Sequence, residues 1–394
     1  VTGPDAGQST PTRLTRLVLT DFRNYAALTW RPAARLAVLS GPNGSGKTNL
    51  LEAVSLLVPG RGLRGARVPE LARHGGSGTW AVAARLATPQ GALDLGTGTL
   101  TPDGADRRVF RLDGAPVRAQ AEIAARLAAV WLTPQMDRLF QEPAAGRRRF
   151  LDRLVYALEP AHAREVAAHD AAVARRNRLL AEGRNDPAWL AGIEDAIARH
   201  AVAATAARAD LVARLNAALG AGAAAPFPAA RLTLIDPIAD RLAAAPALAA
   251  EDWLRARLAA GRGQDAAAGA TSLGAHRADM ALADAAGLPA QSASTGQQKA
   301  MLIGLVLGHA ALIAEARGTP PLLLLDEPLV HLDAERRDAL FAALRRLPAQ
   351  ALLTGTDGSA FIPLADAAEG CLAGGGMLRP DPRFAPANTV IQAP

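Results

Sequence analysis

The octapeptide GPNGSGKT at 41–48 constrains this chain more than any other feature. It completes the pattern G-x-x-x-x-G-K-[ST]. It also stands where that pattern needs to stand, between an apolar run, RLAVLS at 35–40, and a segment of helical spacing over about 48–58. Strand, glycine turn and helix in that order point backbone N–H groups and the positive end of a helix at phosphate oxygens. Gly41, Pro42, Asn43, Gly44, Ser45 and Gly46 are the expected cradle, Lys47 the expected contact to the β- and γ-phosphates, and Thr48 the expected holder of Mg²⁺. The chain holds 43 lysines and arginines, and only two of them, Lys47 and Lys299, are lysine. A sequence that uses arginine almost everywhere keeps lysine where a compact point charge matters.

A second piece lies far downstream. LLLLDEP at 322–328 is a run of four leucines ending in two acids, the mark of a strand buried on both faces. Asp326 fits the acid associated with Mg²⁺, and Glu327 fits a general base that orients the attacking water. Asp333 falls where the next helix begins, so it either caps that helix or serves the site. A third piece, SASTGQQKA at 292–300, is a small polar loop running into an apolar helix over 297–316, whose N-terminus suits an anion.

The rest of the chain organises around these pieces. Alternation over 13–23 reads as a strand, and WAVAARLA, ALDLGTGTL and RRVFRLDG within 79–112 read as an antiparallel β layer. From about 135 to 220 the pattern turns helical and rich in Arg, Ala and Leu, with a break at Asp186-Pro187 and a second helix over about 188–219. Residues 221–229 read as a linker and 262–271 as a flexible loop. Beyond the strand at 322–325, a helix over 333–346 and a strand over 351–355 return the chain to α/β patterning. The expected division is a tail at 1–12, a first part of the head at 13–135, a helical arm inserted at 136–270, and a second part of the head at 271–394. The 394 residues suffice for two or three domains. No uninterrupted apolar stretch reaches the roughly 18 residues of a membrane span. With a single cysteine, Cys371, and no secretory pattern at the N-terminus, a soluble cytoplasmic protein without a membrane partner is expected. A net charge of +6 permits nucleic-acid binding without requiring it.

Phosphate loop, polar loop before a helix, buried strand with paired acids, and the following aspartate stand in the order of the ATP-binding-cassette superfamily, which this chain resembles. The resemblance makes Ser294, Gly296 and Gln297 the signature, which in that superfamily grips the γ-phosphate held by a second subunit, and it makes Asp333 the D-loop residue. A narrower resemblance is to the RecF family, bacterial recombination mediators related to SMC proteins. It rests on TDFRNY at 20–25, GPNGSGKTNLLEAVSLL at 41–57, RRRFLDRLVYALEP at 147–160, RRNRLL at 175–180, SLGAHRADM at 272–280 and STGQQKA at 294–300. The resemblance implies an α/β fold: an ABC-type P-loop ATPase head with an antiparallel β layer and an inserted helical arm. It implies an ATP-dependent homodimer on single-stranded, gapped or junction DNA, acting with RecR and RecO to load RecA in DNA repair, replication restart and the SOS response. Slow hydrolysis would reset that dimer.

The chain departs from the family where DEPLVHLD carries Asp326-Glu327 in place of two aspartates. After the last strand, LLTGTDG supplies Thr354, Thr356 and Asp357 and no switch histidine. Gln135 in WLTPQMD is either the Q-loop residue that senses Mg²⁺ and water or a surface helix cap. The roles of His276, Arg277 and Lys299 are open. Two other readings carry the same loop. A transporter ATPase keeps its phosphate loop and signature much closer together than Lys47 and Ser294 are here. An OLD-type ATP-gated nuclease appends an acidic Toprim domain, for which the stretch after Asp333 offers no cluster. Arg147, Arg148, Arg149, Arg175 and Arg176 are the expected DNA contacts of the arm, with Arg148 or Arg149 alternatively paired to Asp152.

Overall fold

The computed structural model describes residues 12–100, 107–183, 186–384 and 390–392. The expected N-terminal tail lies outside the described residues apart from Thr12. The chain forms two compact units: Val1–Met136 with Gly222–Pro228 and Leu302–Pro394, and Asp137–Ala221 with Ala229–Met301.

The first unit holds two sheets. One is antiparallel, with Tyr25–Arg31, Arg13–Phe22, Ala81–Thr88, Gly91–Gly98 and Val109–Leu112 in spatial order. Its period-two alternation appears in the burial of Arg13–Phe22, where Leu14, Leu17, Leu19 and Phe22 are buried. The other sheet sets Leu36–Ser40 between Ala368–Gly374 and Ala351–Gly355, followed by Leu322–Leu325 and Ala129–Leu132, all parallel. Leu36–Ser40, Leu322–Leu325 and Ala129–Leu132 are buried at every position, as strands covered on both faces must be. The Gln350 side chain, itself buried, accepts from Leu14 N–H at 2.6 Å and donates to Leu14 C=O at 3.2 Å, tying the antiparallel sheet to the root of Ala351–Gly355. Parallel strands place their C-terminal ends on one edge. The phosphate loop, Asp326-Glu327, Thr354 and the Thr133–Gln135 segment therefore all leave the sheet on the same side.

The second unit is helical. His162–Ala181, Pro187–Gly220 and Ala247–Ala260 enclose a core that includes Val173, Leu190, Ile197, Ala201 and Leu254, and Ala144–Leu158 packs against the first two of these helices. The antiparallel pair Ala230–Ile235 and Asp279–Asp284 belongs to it. Two arginines cross its interior. Arg176, fully buried, meets Glu194 at 3.0 Å and Asp265 at 2.7 Å and donates to Thr271 Oγ1. Arg208 forks onto Asp152 at 2.8 and 3.0 Å and donates to the Ala275 carbonyl. Asp152 also holds His162 at 2.8 Å. These bonds bind the SLGAHR segment into the helical unit.

Two expectations need correction here. Residues 262–271 are not a loop throughout: Arg262–Ala268 is a helix, and its buried Asp265 is one of the two acids on Arg176. The second boundary does not fall at 270/271. The pairing of Asp279–Asp284 with Ala230–Ile235 keeps the chain in the helical unit until Met301. The long helix Thr295–Arg317 begins in one unit and ends in the other. It is long and apolar enough to cross a membrane, yet 78% of its most apolar window is buried inside the protein, the property of a core helix.

Candidate functional site

The loop after Leu36–Ser40 turns through glycines that no other residue replaces without strain. Gly41 has φ +149°, and a Cβ there would stand 2.5 Å from the Ala373 carbonyl. Gly46 has φ +104°, with Asn24 Nδ2 and the Tyr25 hydroxyl already where its Cβ would go. Tyr25 donates to the Gly46 carbonyl at 3.1 Å and Asn24 Nδ2 to the Ser45 carbonyl at 3.4 Å. The TDFRNY turn thus braces the loop from behind. The turn is itself pinned: Arg23 forks onto the buried Glu52 at 2.8 Å twice, and Asp21, held down to about 2 chiefly by its hydrogen bond from Arg73, also accepts from Ser77.

Lys47, only 4% exposed, opens the helix Lys47–Ser55 and donates its Nζ to the Gly41 and Pro42 carbonyls at 2.7 and 2.9 Å. Burial draws its ammonium below the ordinary lysine range, and Glu327 and Asp326 pull it back up. Ser45 Oγ is buried without a hydrogen-bond partner. A phosphate would give that hydroxyl an acceptor and would compete with two loop carbonyls for the ammonium, so the cradle fits one.

Across the sheet edge, Thr48 Oγ1 donates to Asp326 Oδ1 at 2.9 Å. Thr354, at the end of the intervening strand, donates to the same Oδ1 at 2.7 Å and accepts the Glu327 N–H at 2.9 Å. Glu327 has φ +50°, a left-handed conformation that costs a non-glycine residue about 1–3 kcal/mol and persists only where surroundings hold it. The Thr354 hydroxyl is such a hold. Thr48 and Asp326 supply a hydroxyl and one carboxylate, the kind of oxygen set that keeps Mg²⁺ together with phosphate oxygens and water. Among the described residues no three His, Cys, Asp or Glu side chains gather into a denser metal centre.

Sequence reasoning named Thr354 only as the residue standing where a switch histidine is missing. Its hydroxyl bridges the Asp326 carboxylate and the Glu327 N–H, where it would position both residues. Thr354→Val is expected to lower ATP turnover by about 10–100-fold, the usual range for residues that orient a metal ligand, with ATP affinity little changed. Thr354→Ser should restore turnover. Turnover and ATP binding measured across a Mg²⁺ titration check this, and a valine variant as fast as the parent would reduce Thr354 to packing.

The remaining expected residues are dispersed. Gln135 is exposed in the short helix Pro134–Arg138, just past the strand beside Leu322–Leu325. Asp333 caps the helix Ala334–Arg346, accepting from Arg336 N–H at 2.9 Å and pairing with its guanidinium at 2.7 Å. Ser294 and Gln297 belong to the helical unit and cap each other: Ser294 N–H reaches Gln297 Oε1 at 2.9 Å, and Gln297 N–H reaches Ser294 Oγ at 3.3 Å. Gly296 is half-buried beside them. Lys299, the second lysine, is buried against Asp137 at 3.3 Å.

The arm arginines divide. Arg147 forks onto Asp279 at 2.7 and 2.8 Å, Arg148 donates to the Ala278 carbonyl, and Arg176 is the core ion described above, so these three are engaged within the protein and only Arg176 is wholly buried. Asp152 is taken by Arg208 and His162, not by Arg148 or Arg149. Arg149 and Arg175 are exposed.

A glycine cradle on a parallel strand, a paired-acid strand two places along, an antiparallel layer and a helical insertion define an ABC-type P-loop ATPase head. The family model for the RecF/RecN/SMC N terminal domain matches residues 13–363. The DNA replication and repair protein RecF of Mesorhizobium japonicum is 47% identical over 355 residues, 90% of this chain and 94% of that protein. That of Rhizobium etli is 45% identical over 358 residues, covering 90% and 96%. This chain belongs to the RecF family. Among solved structures, the recombination mediator protein RecF-ATPrS in the RecFOR pathway superposes with a TM-score of 0.82 at 20% identity, covering 94% of this chain and 99% of that one. The SMC head bound to the C-winged helix domain of ScpA reaches 0.53 at 15% identity, covering 96% and 97%. Both likenesses concern the fold.

Proposed function

We propose that this chain is an ATP-dependent, DNA-binding recombination mediator. Two copies close around ATP on gapped or junction DNA and, with RecO and RecR, help load RecA in repair, replication restart and the SOS response, in the cytoplasm. The observation that carries the nucleotide half is the bond from Thr48 to Asp326, which joins the phosphate loop to the paired acids. Backbone N–H groups of Gly41–Thr48 and Lys47 would bind the phosphates. Thr48 and Asp326 would hold Mg²⁺, which neutralises phosphate charge when bound. Glu327 would orient a water and accept its proton, which makes Asp326 and Glu327 the catalytic pair. Gln135 is left as a sensor of that water. Ser294, Gly296 and Gln297 would contact the nucleotide of the second copy, with Asp333 at the same junction. The RecF relatives and the RecFOR structure support this reading.

DNA binding is tested by anisotropy of a gapped duplex with ATP and Mg²⁺ over a range of salt. Affinity should fall with a log–log slope of about −0.9 per duplex phosphate neutralised. Arg149→Ala with Arg175→Ala should make the slope shallower by roughly 2 if each meets one phosphate. No measurable binding to any DNA at low salt would end the reading.

A further inference from the structure

The helices His162–Ala181 and Pro187–Gly220 leave a groove of about 330 Å³, close to the lower limit of about 300–1,000 Å³ for ligand sites. Trp189 lines it at 49% exposure. Of the five tryptophans, Trp30, Trp80 and Trp131 are buried and Trp253 is half-buried. Trp189 sits in the first turn of its helix, where its N–H donates to the capping Asp186 at 3.2 Å, so its backbone is fixed. Ala172, Ala188 and Gly192 line the same groove and project one carbon or none, leaving the indole uncovered. Arg175 supplies the charged wall. Arg164 and Arg178 are exposed along the same helix. Of the nearby acids, Glu165 meets His200, Asp170 meets His169, Asp195 meets Arg199 and Arg255, and Asp186 is taken up in capping the Trp189 helix.

We propose that this groove holds one unstacked base of a single-stranded nucleic-acid segment, stacked on Trp189, with Arg175 at its edge or on the adjoining phosphate. The proposal rests on the DNA reading above and deepens it. A flat aromatic face with cations around it is the arrangement that grips single strands, because every base has a π-face and every linkage a negative charge. A protein-docking centre would instead be ringed by several large apolar side chains that exclude water, whereas around Trp189 the lining is Arg175, three alanines, Gly192 and Ile193, the last only 6% exposed. Such a slot would let the arm distinguish the single-stranded part of a gap from plain duplex.

The test compares wild type, Trp189→Ala and Trp189→Phe for binding to a gapped duplex, to oligo(dT) and to a continuous duplex, with ATP and Mg²⁺. Thermal melting is followed alongside. Trp189→Ala should weaken gapped-duplex and oligo(dT) binding by about tenfold, the scale of one lost base–aromatic stack, with duplex affinity and the salt slope unchanged. Trp189→Phe should keep most of the affinity. Oligo(dT) should quench wild-type tryptophan fluorescence, and Trp189→Phe should remove that quenching. Equal losses on all three DNAs, or no loss on any, overturn the proposal while leaving the DNA reading intact. A Trp189→Ala effect confined to self-association or protein partners also overturns it. Wild type that binds none of the three sinks the DNA reading itself.

Discussion

Lys47→Ala is expected to abolish ATP binding in a protein that still folds. The Lys47 ammonium is a buried point charge at the end of the phosphate loop, 4% exposed, on the Gly41 and Pro42 carbonyls. A hydrogen bond to a charged group contributes about 1.5–3 kcal/mol, so losing two would weaken binding more than a hundredfold. The fold should survive because the loop is held independently, by Tyr25 on the Gly46 carbonyl, Asn24 on the Ser45 carbonyl, and the Arg23–Glu52 fork behind them. The Gly41 and Pro42 carbonyls lose their donor. Pro42 is exposed and Gly41 half-buried, so water can replace it, and a melting shift of only a few degrees follows. Calorimetric ATP titration and thermal melting on the same preparation check both halves. Near-normal ATP affinity in a folded variant would remove Lys47 from the site.

Glu327→Gln carries the second large effect. The amide keeps the size of the side chain and the backbone bond to Thr354, but it takes no proton from water. Loss of a general base typically costs about 10²–10⁴ in rate. ATP affinity should persist, because Lys47, Thr48 and Asp326 are untouched. Single-turnover hydrolysis with ATP prebound separates the chemical step from binding. A rate within severalfold of the parent would move the proton transfer elsewhere.

Local signals made much of this legible. The phosphate loop, the four-leucine strand and the antiparallel layer each announce themselves by pattern, and Asp326, Glu327 and Thr48 follow from them. What escaped was long-range. Ala129–Leu132 is four residues with no period of its own, and only its place beside Leu322–Leu325 makes it a strand. The helix Arg262–Ala268 begins RGQD after Gly261 and looks like a loop; its buried Asp265 answers a charge on Arg176, and no local pattern encodes that pair. Thr354 reads in sequence as a missing histidine; only the fold sets its hydroxyl between the Asp326 carboxylate and the Glu327 N–H. Arg176 lies on the stripe of Val173, Leu179 and Leu180, the buried face of its helix, while Arg175 beside it points away. Helical spacing alone separates the core arginine from the surface one.

ATP is expected to close two copies of this chain on each other, and molecular mass in solution reads that closure. Sedimentation of Glu327→Gln with ATP and Mg²⁺ should show the dimer accumulating, since closure is intact and hydrolysis is not. Ser294→Arg should bind ATP and remain monomeric. Its bulky side chain replaces one partner of the Ser294–Gln297 cap at the loop expected to face the second copy's nucleotide. A Glu327→Gln protein that binds ATP yet stays monomeric where the wild type dimerises, or a Ser294→Arg protein that dimerises as well as the wild type, would contradict the account.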